Sequence, residues 1–436
     1  MDAQAPHHRR IALIDGNSFY CSCERLMRPA FENRPLVVLS NNDGCAIART
    51  QEAKDLGIAM GDPWFKIKHL EHSHGLLALS ANFALYGDLS ARMMNVIGEF
   101  SPEQEIYSID ESFLNLTGIN GSGRELGAAI KARVKQWVGI PTCVGIGSTK
   151  TLAKLANHLA KKVARLEGVC DLSTLDHPAL LRAIRHVAVE DVWGVGRRLA
   201  PQLRELGINT AADLAQAEPA WIQKRFSVVL ARTVSELVGQ ACIPWEDSPS
   251  DKQQIMCSRS FGAPVTQLSD LQQALAVFVT RAAEKLRAQY STTGAVQVFI
   301  RTSPFRDTPQ HNGSTVIRLE RTNSTTALLS VVVQGLHRIY QPNFHYAKAG
   351  VCLLDIKAQA DAAAQQSLFD CPTATLRDTH REGLMSVLDN LNRRYGKATV
   401  LTAAALADKE APWQMRQERM TPAYTTNWDD IVEIWR

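Results

Sequence analysis

Apolar positions in the first 170 residues come in short runs broken by turns. Ile11-Ala12-Leu13-Ile14 is uninterrupted and stops at Asp15-Gly16-Asn17, the pattern of a buried strand with a carboxylate at its end. Residues 35–40 and 142–147 read as two more buried strands, with an extended stretch at 45–48. Residues 105–116 alternate apolar and polar around an adjacent Asp110-Glu111 pair, which predicts a hairpin with the two acids at its turn. Between these runs the spacing predicts helices from 21 to about 27, over 50–57 with a Gly stop, over about 125–138, and over about 150–162. The last is capped by Ser148 and bears Lys150, Lys154, Lys161 and Lys162. Strands alternating with helices make an α+β unit, expected as a sheet packed with helices on one side.

Residues 171–245 read as all-helical. Within them, Trp193-Gly194-Val195-Gly196-Arg197-Arg198 opens a helix that ends at Gly207, and Thr210 begins another. Two glycines one residue apart at a helix start suit a helix-hairpin-helix. Gly194, Gly196 and Arg197 would hold a DNA phosphate there through backbone N–H groups and charge, without reading sequence. A plain helix–helix turn is the alternative. Pro244 to Ser250 is a linker candidate. A second α+β unit follows, with a helix over about 268–290 and strands near 294–301, 314–319 and 350–356. Ala358 to Gln366 reads as a second linker, and no internal repeat is visible.

A 436-residue chain with 45% hydrophobic and 21% charged residues has the composition of a soluble multidomain protein. No apolar run approaches the roughly 20 residues of a membrane span, and the first ten residues lack an apolar signal core. The nine cysteines are scattered, and Cys21-x-Cys23 without a second pair is a poor zinc signal, so reduced thiols in a cytosolic protein are expected. The net charge of +4 is unevenly spread. Residues 254–358 hold eleven Lys/Arg and five Asp/Glu, giving +6 there and −2 elsewhere, which points to a polyanionic partner for that region.

The acids carry the candidate chemistry. A solvated Asp-Glu turn is the plain reading of Asp110-Glu111. A further carboxylate, Asp15, at the end of another buried strand changes the picture. If the three converge, their mutual repulsion calls for cations, and hard divalent ions such as Mg²⁺ favour carboxylate oxygens. Two such ions roughly 4 Å apart form a clamp suited to phosphoryl or nucleotidyl transfer. Arg49, Lys54 and Lys161 could then hold a triphosphate. A polymerase, a nuclease and a nucleotide cyclase all remain compatible with this set, whereas the intact Asp15, Asp110 and Glu111 argue against a DNA-binding scaffold with a dead site.

The stretches Asp15-Gly-Asn-Ser-Phe-Tyr20-Cys-Ser-Cys-Glu24, Ser40 to Lys54, Gly61-Asp-Pro-Trp-Phe-Lys66 and Tyr107-Ser-Ile-Asp-Glu-Ser112 resemble the Y-family translesion DNA polymerases of the UmuC type, over essentially the whole chain. The resemblance implies a right hand: a ferredoxin-like palm (1–19 and 80–170), small fingers (20–79), a helical thumb with the helix-hairpin-helix (171–245), a linker (246–253), an α+β little finger (254–358) and a C-terminal extension (359–436). It implies error-prone DNA synthesis by two Mg²⁺ ions on primer-template DNA with dNTP, in SOS damage tolerance. Asp15 and Asp110 would bridge both ions, Glu111 would bind the catalytic one, and Gly16 would offer its carbonyl to the nucleotide ion. Tyr20 matches the steric gate that excludes a 2′-hydroxyl. Ser18, Phe19, Arg49, Lys54 and Lys161 fall at nucleotide-binding positions.

Gln365-Gln-Ser-Leu-Phe369 resembles the pentapeptide that docks on the sliding clamp, with Gln365, Leu368 and Phe369 as its anchors and Gln366 where Leu is usual. Residues 391–396, 413–416 and 422–426 resemble the family's C-terminal domain, which implies a processed UmuD-like dimer and RecA as partners.

Overall fold

The computed structural model describes residues 9–246, 250–360, 372–396, 398–406 and 411–431. The Gln365, Leu368 and Phe369 anchors lie outside the described residues. The described chain divides into two compact units. The first takes residues 9–40, 44–246 and 419–431, and the second takes 41–43 and those from 250 to 418.

The strands of the first unit are β1 (Ile11–Gly16), β2 (Leu36–Leu39), β3 (Ala46–Arg49), β4 (Leu77–Ser80), β5 (Gln104–Ile106), β6 (Glu111–Asn115), β7 (Thr142–Gly147) and β8 (Val169–Asp171). Five of them form one sheet in the order β5-β6-β1-β7-β8, and β3-β2-β4 form another. In the larger sheet β1 is central and antiparallel to both neighbours. Its apolar run does not alternate because both faces are covered. Ala12 and Ile14 pack with Leu85, Met93, Ile130 and Val134 of helices Phe83–Gly98 and Gly123–Trp137. Ile11, Leu13 and Phe113 pack on Ala153 of helix Lys150–Lys162. The expected one-sided sheet is therefore incorrect, since a run apolar at every position needs a cover on each side.

Helix Lys150–Lys162 lies unusually close to β7. A Cβ on Gly145 would meet the Asn157 backbone nitrogen at 2.0 Å and the Ala153 carbonyl at 2.3 Å. The buried Asn157 amide donates to the carbonyls of Cys143 (2.9 Å) and Leu13 (3.3 Å), tying the helix to β7 and β1 together. At its N-terminus the Thr149 side chain accepts from Leu152 N, and the fully buried Glu236 carboxylate accepts from Thr151 N at 3.0 Å. Glu236 belongs to helix Val228–Leu237 and also accepts from Cys242 N and Ile243 N.

The region before it is helical, with His177–Ile184, Leu199–Glu205, Ala211–Ala215 and Pro219–Arg225 around one apolar core. Lys150, 2% exposed, pairs with Glu105 at 2.5 Å and donates to the Pro244 carbonyl at 2.6 Å. Glu246 N donates to the same Glu105 carboxylate at 2.8 Å, so the chain is pinned as it leaves this unit.

The second unit is a four-stranded antiparallel sheet in the order β11-β10-β12-β9: β9 (Ile255–Val265), β10 (Ser291–Thr302), β11 (Asn312–Thr322) and β12 (Tyr346–Ala358). Helices Leu268–Ala288 and Thr325–Ile339 share its apolar core. The sequence reading located β10, β11, β12 and the first helix but not β9 or the second helix. Its +6 overstates the free charge. Arg287 is clamped by Asp389, an acid outside residues 254–358 (2.6 and 2.8 Å), and by Asn323 and Thr325. Asp389 lies on helix Pro372–Tyr395. The C-terminal region is divided, with residues through Glu418 in the second unit and those from Arg419 in the first.

All eight described cysteines are free thiols, and six are buried. Burial pushes the Cys21 thiol up to about 12. Among the described residues, no helix is long and apolar enough to cross a membrane.

Because the Gly145 contact is with backbone, it cannot be relieved by a side-chain rotation. Gly145→Ala should destabilise the protein by about 3 kcal/mol, measured as a lowered urea midpoint at unchanged slope. A midpoint within error of the parent's would show that the helix can move off the sheet freely.

Candidate active site

Antiparallel pairing places Asp15 of β1 directly across from Glu111 of β6. The turn between β5 and β6 carries Asp110, whose carbonyl accepts from Gly16 N at 2.9 Å and whose carboxylate accepts from Ser108 Oγ at 2.7 Å. Burial pushes the Asp15 carboxyl up from 3.8 to about 6, with the charges of Glu111 and Asp110 adding to the rise and Lys161 opposing it. A carboxyl in that position lacks enough positive charge around it.

Cations for these acids come from one helix. Lys150, Lys154 and Lys161 fall within about 40° of one another at 3.6 residues per turn. Their partners lie on successive strands of the sheet: Glu105 on β5, Glu111 on β6 (2.8 Å from Lys154) and Asp15 on β1 (2.6 Å from Lys161). Lys154 is also boxed by the rings of Tyr107 (4.3 Å), Trp193 (5.2 Å) and Phe113 (6.0 Å). Among the described residues no three His, Cys, Asp or Glu side chains converge as a metal-holding group. Lys154 holds the Glu111 carboxylate and Lys161 holds that of Asp15.

A cleft of about 400 Å³ opens beside Asp15. Asp15, Gly16, Ser18, Phe19, Tyr20, Arg49, Lys54, Asp110 and Lys161 all border it, so nine sequence-selected residues meet there. Glu111 does not border it. Gly16 has no room for a side chain, since a Cβ would meet Phe19 Cδ2 at 2.9 Å. Phe19 is buried, which leaves its backbone for any ligand contact. Ser18 precedes helix Phe19–Met27 in a left-handed conformation, φ 45°. Arg49 donates to the Ile58 carbonyl at 2.6 Å, while its buried Nε has no hydrogen-bond partner. Burial, together with the charges of Arg49 and Lys161, lowers the Lys54 pKa, as expected for cations gathered without an anion.

The Tyr20 ring stacks on that of Tyr86 at 4.6 Å and 17°, and meets Phe83 edge-on. Burial and the Asp110 charge raise the Tyr20 pKa.

Gly194, Gly196 and Arg197 are exposed, Gly194 between buried Val192 and Val195 and the other two directly after Val195. Gly194 has φ +91°, and the Gly196 carbonyl accepts from Leu199 N to start helix Leu199–Glu205.

Sequence reasoning missed Lys154, Glu105 and Tyr86 as parts of the site's frame, and Ile47, Ala48 and Met60 as its walls. The lysine spacing of four and seven was a usable signal, because it marks one helix face. Tyr86 gave none, since a buried aromatic on an amphipathic helix is ordinary core.

Comparison with known proteins bears on this geometry. Residues 14–158 match the impB/mucB/samB family and residues 252–368 match that family's C-terminal domain. Residues 382–434 match a domain of unknown function, DUF4113. The chain is 44% identical to Protein UmuC of Salmonella typhimurium, over 97% of this chain and 99% of the relative. It is 42% identical to Protein MucB of Escherichia coli (96% and 98%), and 27% identical to DNA polymerase IV 2 of Mesorhizobium japonicum (92% and 96%). In fold it is similar to a Y-family DNA polymerase chimera of Dbh and Dpo4, with a TM-score of 0.62 at 20% identity, covering 80% of this chain and 99% of the other. An insertion ternary complex of Dbh DNA polymerase gives 0.53 over the same shares. With the Y-family fold and a full-length UmuC relative, the chain belongs to the impB/mucB/samB family, the UmuC type of Y-family polymerase.

Proposed function

We propose that this chain is an error-prone, template-directed DNA polymerase, joining a deoxynucleoside triphosphate to a primer 3′-OH across damaged template bases in the SOS response. The observation that carries the reading is the meeting of Asp15, Asp110, Tyr20, Arg49, Lys54 and Lys161 at one open cleft, in a chain with full-length relatives named UmuC and DNA polymerase IV.

Y-family polymerases are metal-dependent, and the donor set suits a hard cation. Burial among other acids leaves Asp15 short of positive charge, and the ammonium of Lys161 stands where a cation is called for. Asp15, Asp110 and Glu111, with the Gly16 carbonyl, would hold the two Mg²⁺ ions, Glu111 on the primer side and Gly16 on the nucleotide side. Such ions supply charge neutralisation and a lowered pKa for the attacking hydroxyl. Lys161 would exchange its carboxylate for a triphosphate oxygen, joined by Lys54 and Arg49, while the backbone at Ser18 and Phe19 lines the phosphates' path. Tyr20 would present its ring to the sugar, where a 2′-hydroxyl collides with it. Exposed Gly194, Gly196 and Arg197 suit a duplex phosphate.

The first unit would supply palm, fingers and thumb, and residues 254–358 the little finger. Residues 359–436 would add a clamp-binding pentapeptide and a family-specific extension. A sliding clamp, a processed UmuD-like dimer and RecA are the proposed partners, in the cytoplasm at the nucleoid.

Asp110→Ala should lower Mg²⁺-dependent primer extension on a lesion template by at least about a hundredfold. Extension equal to the parent's would remove this carboxylate from the reaction. Deleting residues 365–369 should lower clamp-stimulated synthesis and spare synthesis without clamp, whereas equal loss of both would mark a folding defect.

The raised Asp15 pKa also sets a pH dependence. Folded chain binds this proton more tightly than unfolded chain, so the group's contribution falls as pH rises from 3.8 to about 6 and stays low above. In chelator, Asp15→Asn should therefore be more stable than the parent at pH 7, by up to about 3 kcal/mol, with the difference shrinking towards pH 4. A difference independent of pH, measured by urea unfolding, would refute the shift.

A further inference from the structure

The C-terminal residues Arg419–Ile431, inside the DUF4113 match, are built into the first unit. Arg419 pairs its main chain with Ser80 at the end of β4, N to Oγ at 3.0 Å and carbonyl to N at 3.1 Å. Its guanidinium forks onto Glu71 (2.5 and 3.2 Å) and lies 4.9 Å over the Trp64 ring. Asn82, 3% exposed, points its amide at the Thr421 carbonyl, Thr421 Oγ1 and the Pro422 carbonyl, at 3.1–3.2 Å. Arg28 Nε donates to Tyr424 Oη at 2.6 Å.

Thr421 is 4% exposed, and its hydroxyl donates to Glu24 Oε1 at 3.3 Å. The same oxygen accepts from Tyr86 Oη at 2.7 Å. Glu24 and Tyr86 are both fully buried, and Glu24 Oε2 has no hydrogen-bond partner. The carboxyl that anchors the Tyr86 phenol is thus itself held by the C-terminal segment. Tyr20 lies flat on the Tyr86 ring. Contact runs without a gap from Thr421 through Glu24 and Tyr86 to Tyr20, across about 400 residues of sequence.

We propose that residues 419–431 are a built-in brace for the sugar-selecting ring, with Thr421 a positioning residue for discrimination between deoxyribo- and ribonucleotides. This rests on the reading of Tyr20 as the gate. A stacked ring is located by the surface it lies on, and that surface is fixed at its far end by Glu24. Loosening Glu24 lets Tyr86 shift and lets Tyr20 give way before a 2′-hydroxyl. The effect sought is a change in selectivity, which simple loss of fold would not produce.

The test measures kcat/KM for single-nucleotide extension with dNTP and with rNTP, in the full-length chain. Thr421→Val removes the hydroxyl at constant shape, and Thr421→Ser keeps it. Asn82→Asp keeps the acceptor for Leu85 N that caps helix Phe83–Gly98 but loses both donors to the brace. Thr421→Val and Asn82→Asp should lower the dNTP/rNTP ratio about three- to tenfold, the effect of about one hydrogen bond. Thr421→Ser should match the parent, and Tyr20→Ala should lower the ratio further. Adding Thr421→Val to Tyr20→Ala should change nothing more.

If Tyr20→Ala lowers the ratio while folded Thr421→Val and Asn82→Asp leave it at the parent's value, the brace is overturned and the gate stands. An additive effect on Tyr20→Ala overturns it as well. A parent-like ratio in Tyr20→Ala overturns the gate, and the brace with it. Should Thr421→Val not fold, Asn82→Asp decides by the same ratio.

Discussion

Three lysines on one helix face, laid across three acid-bearing strands, hold this catalytic region together. Sheet pairing obliges Asp15 to face Glu111, and the next strand out brings Glu105. Like charges so placed repel, and burial amplifies the cost. Helix Lys150–Lys162 answers each acid with an ammonium at 2.5–2.8 Å. The most buried pair, Glu105–Lys150, is sealed from water and tied to the Pro244 carbonyl and Glu246 N, which suits a permanent structural role. The outer two are partly exposed, at 14–37% for Asp15 and Lys161. Pairs that water reaches can be exchanged for other ions at modest cost, because exposed ion pairs contribute little net stability. One stripe thus serves as scaffold at one end and borders the candidate cleft at the other.

The stripe can act only because the helix sits against the sheet with no side chain between. Gly145 and Gly147 clear that space, and the Asn157 amide bridges β7 to β1. The frame therefore depends on what β7 lacks as much as on what the helix carries.

Much of this was legible in the chain. Asp15 at the end of an apolar run, the Asp110-Glu111 turn and the cleft residues Gly16, Tyr20, Arg49, Lys54 and Lys161 all follow from run lengths, turn chemistry and motif resemblance, and they border or flank one cleft. Other features were not legible, for physical reasons. The continuous apolar run of β1 did carry the sign of a two-sided cover and was read as one-sided, but which helices supply the covers depends on partners distant in sequence. Strand β9 alternates polar and apolar around Arg259 and lacks an apolar run to mark it. The +6 of residues 254–358 ignored Asp389, which lies outside that window and neutralises Arg287. The Thr421–Glu24 contact joins the two ends of the chain through one hydroxyl, and no local pattern announces it.

The buried thiols add a chemical consequence. Nucleophilic attack by cysteine proceeds through the thiolate. With Cys21 held at about 12, its ionised fraction at neutral pH is about one in a hundred thousand. Cys23 beside it and Cys170 are shifted the same way by burial. Alkylating and oxidising agents that attack nucleobases would find almost no reactive sulfur at these positions.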